Sequence, residues 1–280
     1  MIKAFQIQTI NTCNSRCIMC PYPHIHKENI KMEDSLFIKI VDEITQLTEE
    51  RVVENPIHIT PFFQNEPFMD SSIFDRVEYI REKIPNADIE MFSNGILFEK
   101  YKDKIINLPV NRIKFSLYGY DATSFNHTTN LNISQDQFDS IYKAFEYIKD
   151  RAPFGMINDS PWNHNSKEIR GFSSRAGFLN NNKIYHKEIR GCCWHRDLWI
   201  NFLADGSVPT CCMDWTKENI LGNASNQTIL EIINSKQRKD IIDTINGVNE
   251  MPDGFICSRC EKCCGDGFYE RPDLINFNKD

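Results

Sequence analysis

Cys13, Cys17 and Cys20 stand in a C-x3-C-x2-C run that directly follows a strand-like segment, residues 4–10. The chain has eleven cysteines, an odd number, gathered in two compact groups rather than spread as a disulfide framework. That pattern favours metal ligation in a reducing compartment. A cubane [4Fe–4S] cluster normally takes four thiolates, one for each iron. Three thiolates on one short loop leave one iron open to a ligand that reacts. The same three sulfurs with the imidazole of His24 would also make a four-coordinate zinc site. Spacing alone leaves both chemistries open.

The second group comprises Cys192 and Cys193, Cys211 and Cys212, and then Cys257, Cys260, Cys263 and Cys264. Between the first two pairs, residues 198–203 and 207–210 read as the strands of a hairpin turning at Asp205-Gly206. Such a hairpin would bring both pairs to neighbouring strand ends. Four thiolates with a C-x2-C knuckle also suit a structural zinc.

A cysteine run of the first spacing, at the end of a first strand, resembles the signature of the radical S-adenosylmethionine (radical SAM) enzymes. The resemblance implies that the amino and carboxylate groups of SAM chelate the open iron. One electron from the cluster then cleaves the sulfonium to a 5′-deoxyadenosyl radical. Gln64-Asn65-Glu66-Pro67, after the second strand, resembles the family's Gly-Gly-Glu-Pro segment with both glycines replaced. By that likeness Asn65 and Glu66 meet the SAM ammonium group. Ser93-Asn94-Gly95 is similar to the Thr-Asn-Gly turn near the cofactor, and Ser116 to the hydroxyl that reaches the SAM ribose or carboxylate. Met19 holds the position that packs on the adenine. Without the resemblance, Glu66 reads as a carboxylate at a helix N-terminus, and Ser116 and Met19 read as packing. The likeness covers roughly residues 4–120.

Gly206-x4-Cys211, a helix from Gln227 to about Ile245 and the late C-x2-C resemble the auxiliary-cluster region of SPASM and twitch radical SAM proteins. The chain ends 16 residues after Cys264, which fits the shorter, one-cluster twitch form. The correspondence implies Cys193, Cys211, Cys257 and Cys260 as ligands of an auxiliary [4Fe–4S] cluster. Cys192 and Cys212 compete with their neighbours, and Cys263 and Cys264 are extra. Arg175 lies in a segment similar to the family's Ser-x-Arg-small-Gly, which implies a catalytic arginine that holds the substrate or assists its deprotonation. A purely structural arginine is the alternative. The chain as a whole is similar to the twitch dehydrogenases of aminoglycoside biosynthesis, which oxidise a secondary alcohol of a sugar or aminocyclitol. A flavodoxin- or ferredoxin-type protein would supply the electron. The runner-up is a SPASM-type maturase of a ribosomal peptide; a barrel beginning at residue 4 leaves no room for a leader-recognition domain before it. A zinc-binding adaptor without chemistry is a third reading.

The 280 residues carry 25% charged and 41% hydrophobic side chains and a net charge of −7. That charge argues against a nucleic acid or an anionic membrane as the main partner. No run approaches the roughly 18 apolar residues of a membrane span. No secretory signal precedes the first strand, so the expected location is the cytoplasm. Strand and helix patterns alternate up to about residue 158: strands near 4–10, 56–60, 88–93, 112–117 and 152–157, with helices near 33–44, 72–84, 98–107 and 134–150. This is the α/β pattern of a parallel sheet. A complete eight-unit barrel takes about 250 residues, so the expectation is a partial (β/α)5-6 TIM-like barrel over residues 1–185. A small C-terminal β-hairpin/helix auxiliary-cluster domain follows over 186–280, with the junction between Asn158 and Asn182. His58 reads as barrel interior, while His127, His164, His186 and His195 lack ligand spacing.

Overall fold

Alternate positions of the strands carry the core. Phe5 and Ile7, Ile57 and Ile59, Ile89 and Met91, Ile113 and Phe115, and Ile200 and Phe202 are all buried. Residues two apart share one face of a strand, so these pairs line up as one apolar sheet face. The computed structural model describes residues 1–25, 28–151, 156–158, 162–163, 168–169, 175–179, 185, 189 and 198–264. The strands are β1 (Ile2–Ile7), β2 (Val53–Thr60), β3 (Asp88–Ser93), β4 (Arg112–Phe115) and β5 (Met156–Asn158). A short antiparallel pair, β6 (Trp162–Asn163) and β7 (Glu168–Ile169), follows, and then β8 (Trp199–Phe202). The main sheet has six strands in the order β5-β4-β3-β2-β1-β8, every neighbour parallel.

Helices α1 (Asp34–Glu49), α2 (Ile73–Lys83), α3 (Phe98–Ile105) and α5 (Gln135–Lys149) cover the apolar face. Each buries a stripe at helical spacing, such as Phe37, Ile40, Val41 and Ile44 of α1. Ser134 caps α5 through a capping box with Gln137. The expected α/β partial barrel, with five or six parallel strands, is therefore the observed architecture.

Three elements differ from the sequence expectation. Residues 199–202 do not pair as one arm of a hairpin. They enter the main sheet beside β1, with Gln6 opposite Asn201 and Ile7 opposite Phe202. Leu203 N–H still donates to Ser207 O across the Asp205-Gly206 turn, but the antiparallel ladder joins β9 (Ser207–Pro209) to β10 (Ile220–Asn223). The barrel thus draws its sixth strand from sequence assigned to the second unit. The helix expected over 227–245 is two, α6 (Ile229–Ile233) and α7 (Lys236–Ile245), because Thr228 and Ser235 each cap a start. An unexpected α4 (Ala122–Thr129) follows β4, capped by Asp121 and ending on left-handed Asn130. Its last-turn carbonyls have no partner within the helix. Thr129 O accepts from Arg16 N–H at 2.9 Å and Thr128 O from Ile18 N–H at 3.0 Å, so α4 carries the cysteine loop.

Candidate active site

Cys13, Cys17 and Cys20 open on a cavity of about 380 Å³ at the C-terminal ends of the barrel strands. Backbone N–H groups of Ser15 and Tyr22 point at the sulfurs of Cys13 and Cys20, each at 3.5 Å, and Asn94 Nδ2 approaches Cys13 Sγ at 3.9 Å. Burial pushes the Cys13 thiol up to about 12, with Glu66 and Cys20 adding to it, and raises Cys17 as well. Buried thiols that resist ionisation, with N–H groups aimed at two of the sulfurs, suit a positively charged metal cluster that would hold them as thiolates. Among the described residues, no three His, Cys, Asp or Glu side chains converge where a single metal ion would sit. His24 lines a second cavity, of about 550 Å³, whose described walls include none of the three cysteines. Among the described residues, His24 and the three cysteines are not assembled as a tetrahedral zinc site.

Glu66 is 2% exposed and ends the loop after β2. Its Oε1 accepts from Phe68 N–H at 3.2 Å and Ser93 Oγ–H at 3.0 Å, and its Oε2 from Asn94 N–H at 2.8 Å. Burial outweighs these bonds and pushes the carboxyl up to about 7. A carboxylate has about four acceptor positions, so Oε2 retains one for a cationic donor in the cavity. Neither Gln64 nor Asn65 is among the non-glycine residues with positive φ, so the backbone here takes no conformation that favours glycine. Gly95 is different. It has φ +77°, and a Cβ there would meet the Phe115 ring at 2.0 Å.

Ser93 spends its hydroxyl on Glu66 and on Gly95 N–H. Asn94 Nδ2 donates to Asn14 Oδ1 at 2.7 Å and Ser15 Oγ at 3.3 Å, tying the β3 turn to the cysteine loop. Asn65, Ser116 and Met19 also line the cavity, and Met19 packs among Cys17, Cys20 and Tyr118. All six residues read as cofactor-binding from the sequence thus border one space. Tyr118, Gln6 and Trp199 border it too and were not anticipated. The alternation of Ser116 with Tyr118, and of Gln6 with buried Phe5 and Ile7, is the signal that would have found two of them.

The second cysteine group reaches the same cavity through Cys212. Cys212 lines the cavity, and half-buried Cys211 beside it feels the charges of Cys212 and Cys260. Burial is the first cause that raises the Cys211 thiol. Asp214 closes the loop after them, accepting from Glu218 N–H and Asn219 N–H at 2.8 Å each. Cys257 on the turn Ile256–Arg259, Cys260 just after it and Cys263 on the helix α8 (Glu261–Cys264) are buried. Cys192, Cys193 and the side chain of Cys264 lie outside the described residues, as do His164, His186 and His195.

Arg175 lines the cavity on a turn where Arg175, Ala176 and Gly177 all have left-handed φ, of 53°, 53° and 74°. Left-handed backbone costs roughly 1–2 kcal/mol for each non-glycine residue. The cysteine module holds the turn in place: Glu261 Oε2 accepts from Ala176 N–H, and Arg259 Nε donates to Ala176 O at 2.9 Å. Arg259 also pairs with Glu218 of the Cys211 loop.

Comparisons with known proteins agree with this geometry. The family model described as the radical SAM superfamily matches residues 7–158, and that of the SPASM iron–sulfur cluster-binding domain matches 192–264. GTP 3′,8-cyclase of Desulforamulus reducens is 27% identical over 150 residues, which cover 52% of this chain and 43% of that protein. The same enzyme of Thermodesulfovibrio yellowstonii is 27% identical over 149 residues, covering 51% and 43%. The chain thus spans less than half the length of these relatives. The crystal structure of BtrN in complex with AdoMet and 2-DOIA superposes with a TM-score of 0.65 at 17% identity, over 96% of this chain and 97% of that one. AdoMet-bound anSMEcpe gives 0.57 at 15% identity, over 96% and 86%. At such identities the likeness is one of fold. No helix among the described residues is long and apolar enough to cross a membrane. With the family match spanning more than half its length, the chain belongs to the radical SAM superfamily, carries a SPASM iron–sulfur domain, and is an enzyme that uses SAM, a [4Fe–4S] cluster and an auxiliary cluster.

Proposed function

We propose that this enzyme oxidises a secondary alcohol of a sugar or aminocyclitol to a ketone. The observation that carries this reading is that one cavity is lined both by Cys13, Cys17 and Cys20 and by Cys212, the neighbour of Cys211. When bound, the two clusters and SAM supply a hydrogen-atom abstractor and an electron acceptor, which take what a carbinol carbon loses, together with a proton, on becoming a carbonyl.

The chain's own residues do the rest. Cys13, Cys17 and Cys20 hold the first cluster; Cys211, Cys257, Cys260 and Cys193 hold the auxiliary one, with Cys212 left facing the substrate. Glu66 takes the ammonium group of SAM, and Ser93 and Asn94 position Glu66. Asn65, Ser116 and Met19 complete the cofactor's walls. Arg175 reaches the substrate and favours loss of its hydroxyl proton by stabilising the developing alkoxide. The barrel spans residues 1–185 together with β8, and the cluster domain takes the remainder. A flavodoxin- or ferredoxin-type protein in the cytoplasm delivers the electron.

Two comparisons bear on the choice of substrate. BtrN is matched over nearly its whole length and was crystallised with 2-DOIA. A nucleoside triphosphate, the substrate type in the sequence relatives' name, calls for several Arg or Lys side chains. Arg175 is the one Lys or Arg among the described lining residues. A peptide substrate is the second reading, favoured by the similar fold of anSMEcpe with AdoMet and the Cp18Cys peptide, at a TM-score of 0.55.

The test is anaerobic incubation of the reconstituted enzyme with dithionite, SAM and a panel of amino sugars, cyclitols and peptides, read by mass spectrometry. The expected result is a two-hydrogen loss from a cyclitol or sugar. The same loss from a peptide alone would replace this reading with the second.

A further inference from the structure

The cavity wall and the strand beside it carry side chains that nothing above employs. Gln6 is 8% exposed and Gln64 8%, and both line the cavity. Asn201, 1% exposed, stands opposite Gln6 in the β1–β8 register. It lies on the face of β8 that brings Trp199, two residues earlier, into the cavity. Among the described residues, Gln6 Oε1, Gln64 Nε2 and both polar atoms of Asn201 have no hydrogen-bond partner. Buried polar groups are nearly always paired, and an unpaired one costs stability. Three carboxamides in this condition, beside one cavity, are a site built for a ligand.

The chemistry of the unpaired atoms selects that ligand. Gln6 Oε1 and Asn201 Oδ1 accept, while Gln64 Nε2 and Asn201 Nδ2 donate. A carboxylate or phosphate offers only acceptors, and an ammonium group only donors. Neighbouring hydroxyls offer both at every oxygen. Trp199 and Phe92 add flat apolar walls for the C–H faces of a ring. We propose that Gln6, Asn201 and Gln64 form an uncharged subsite that binds adjacent hydroxyl groups of a polyol ring and turns its reacting carbon toward the cofactor. This deepens the alcohol-oxidation reading and rests on it for the identity of the ring.

The test uses the full-length holoprotein, with SAM bound and no reductant, so that binding is read without turnover. Gln6→Met and Asn201→Leu replace unpaired polar atoms by apolar ones of similar size. Each variant is expected to keep the wild-type melting temperature or exceed it by about 1–4 °C. Each should weaken binding of 2-DOIA and of scyllo-inositol about tenfold, with SAM affinity unchanged. A fall of 5 °C or more with unaltered polyol affinity would make the three residues structural and overturn the proposal. Polyol binding absent from the wild type would overturn the ligand class. If a serine-containing peptide then binds in a manner dependent on Gln6 and Asn201, the subsite stands as one for amides and it is the alcohol-oxidation reading that has failed.

Discussion

Two buried polar clusters sit within the same barrel and are built on opposite rules. Arg76, 3% exposed, donates from Nη1 to Thr9 O and to Asp70 Oδ2, and from Nη2 to Met32 O and to Asp34 Oδ1. Only its Nε lacks a partner. Asp70 in turn receives Ser72 N–H and Lys31. This cluster fastens the end of β1 to the starts of α1 and α2, beneath the cysteine loop. The carboxamides Gln6, Gln64 and Asn201 are buried too, yet four of their polar atoms have no partner among the described residues. A satisfied cluster fixes a fold, whereas an unsatisfied one gives up stability that a ligand restores. The difference separates residues that hold the site from residues that serve it.

Arg76→Met should give the largest effect. It leaves the Asp70 carboxylate buried with Lys31 as its one remaining cation. Breaking a buried pair from one side costs about 3–5 kcal/mol, a fall in melting temperature on the order of 10 °C, read by anaerobic circular dichroism. A loss no larger than that of Asn201→Leu would erase the contrast. Glu66→Gln sharpens it from the other side. Glu66 is fully buried and internally bonded like Arg76, but burial raises its carboxyl instead of a partner holding it ionised. The amide must face one of the donors to Glu66 with its own NH2 group, so its stability should fall by about 1–3 kcal/mol, less than that of Arg76→Met. SAM binding, measured by equilibrium dialysis, should weaken by roughly 30-fold or more, since removing one partner of a buried charge pair costs about 2–5 kcal/mol.

The same contrast explains what was legible in the sequence. That Cys13, Cys17, Cys20, Glu66 and Asn94 share one cavity could be read, because the metal and ammonium chemistry proposed for them would demand particular side chains at short, local spacings. Gln6 and Asn201 could not. They become neighbours only when β8 docks beside β1, and nothing local in residues 198–203 distinguishes a parallel sixth strand from one arm of a hairpin. The support of the cysteine loop by α4 is equally invisible, since it runs through backbone carbonyls that every residue possesses. The split between α6 and α7 was readable in principle from Thr228 and Ser235, but the continuous apolar period across 229–245 masked the second cap.

A third polar array, on the barrel's inner face, lies between the two extremes and gives the smallest predicted effect. His58 Nδ1 meets Asp88 Oδ2 at 2.9 Å, Arg112 bonds both Asp88 and Glu90, and Lys114 lies 3.3 Å from Glu90. These groups are satisfied like Arg76 but partly exposed. Partial burial alone would raise the Asp88 carboxyl, yet the Arg112 and His58 contacts prevail and hold it below its ordinary value. A depressed carboxyl contributes stability above its unfolded pKa and loses that contribution as pH falls through its folded one. Asp88→Asn should thus cost about 1 kcal/mol or less at pH 7, given solvent screening, and the gap to the wild type should narrow as the pH falls below the ordinary carboxylate range toward the depressed one. Paired urea melts at pH 7 and pH 3 test this. A gap that stays constant with pH would mean that Asp88 acts by packing and not by charge, which would leave Arg76 as the barrel's one electrostatic fastening among these three clusters.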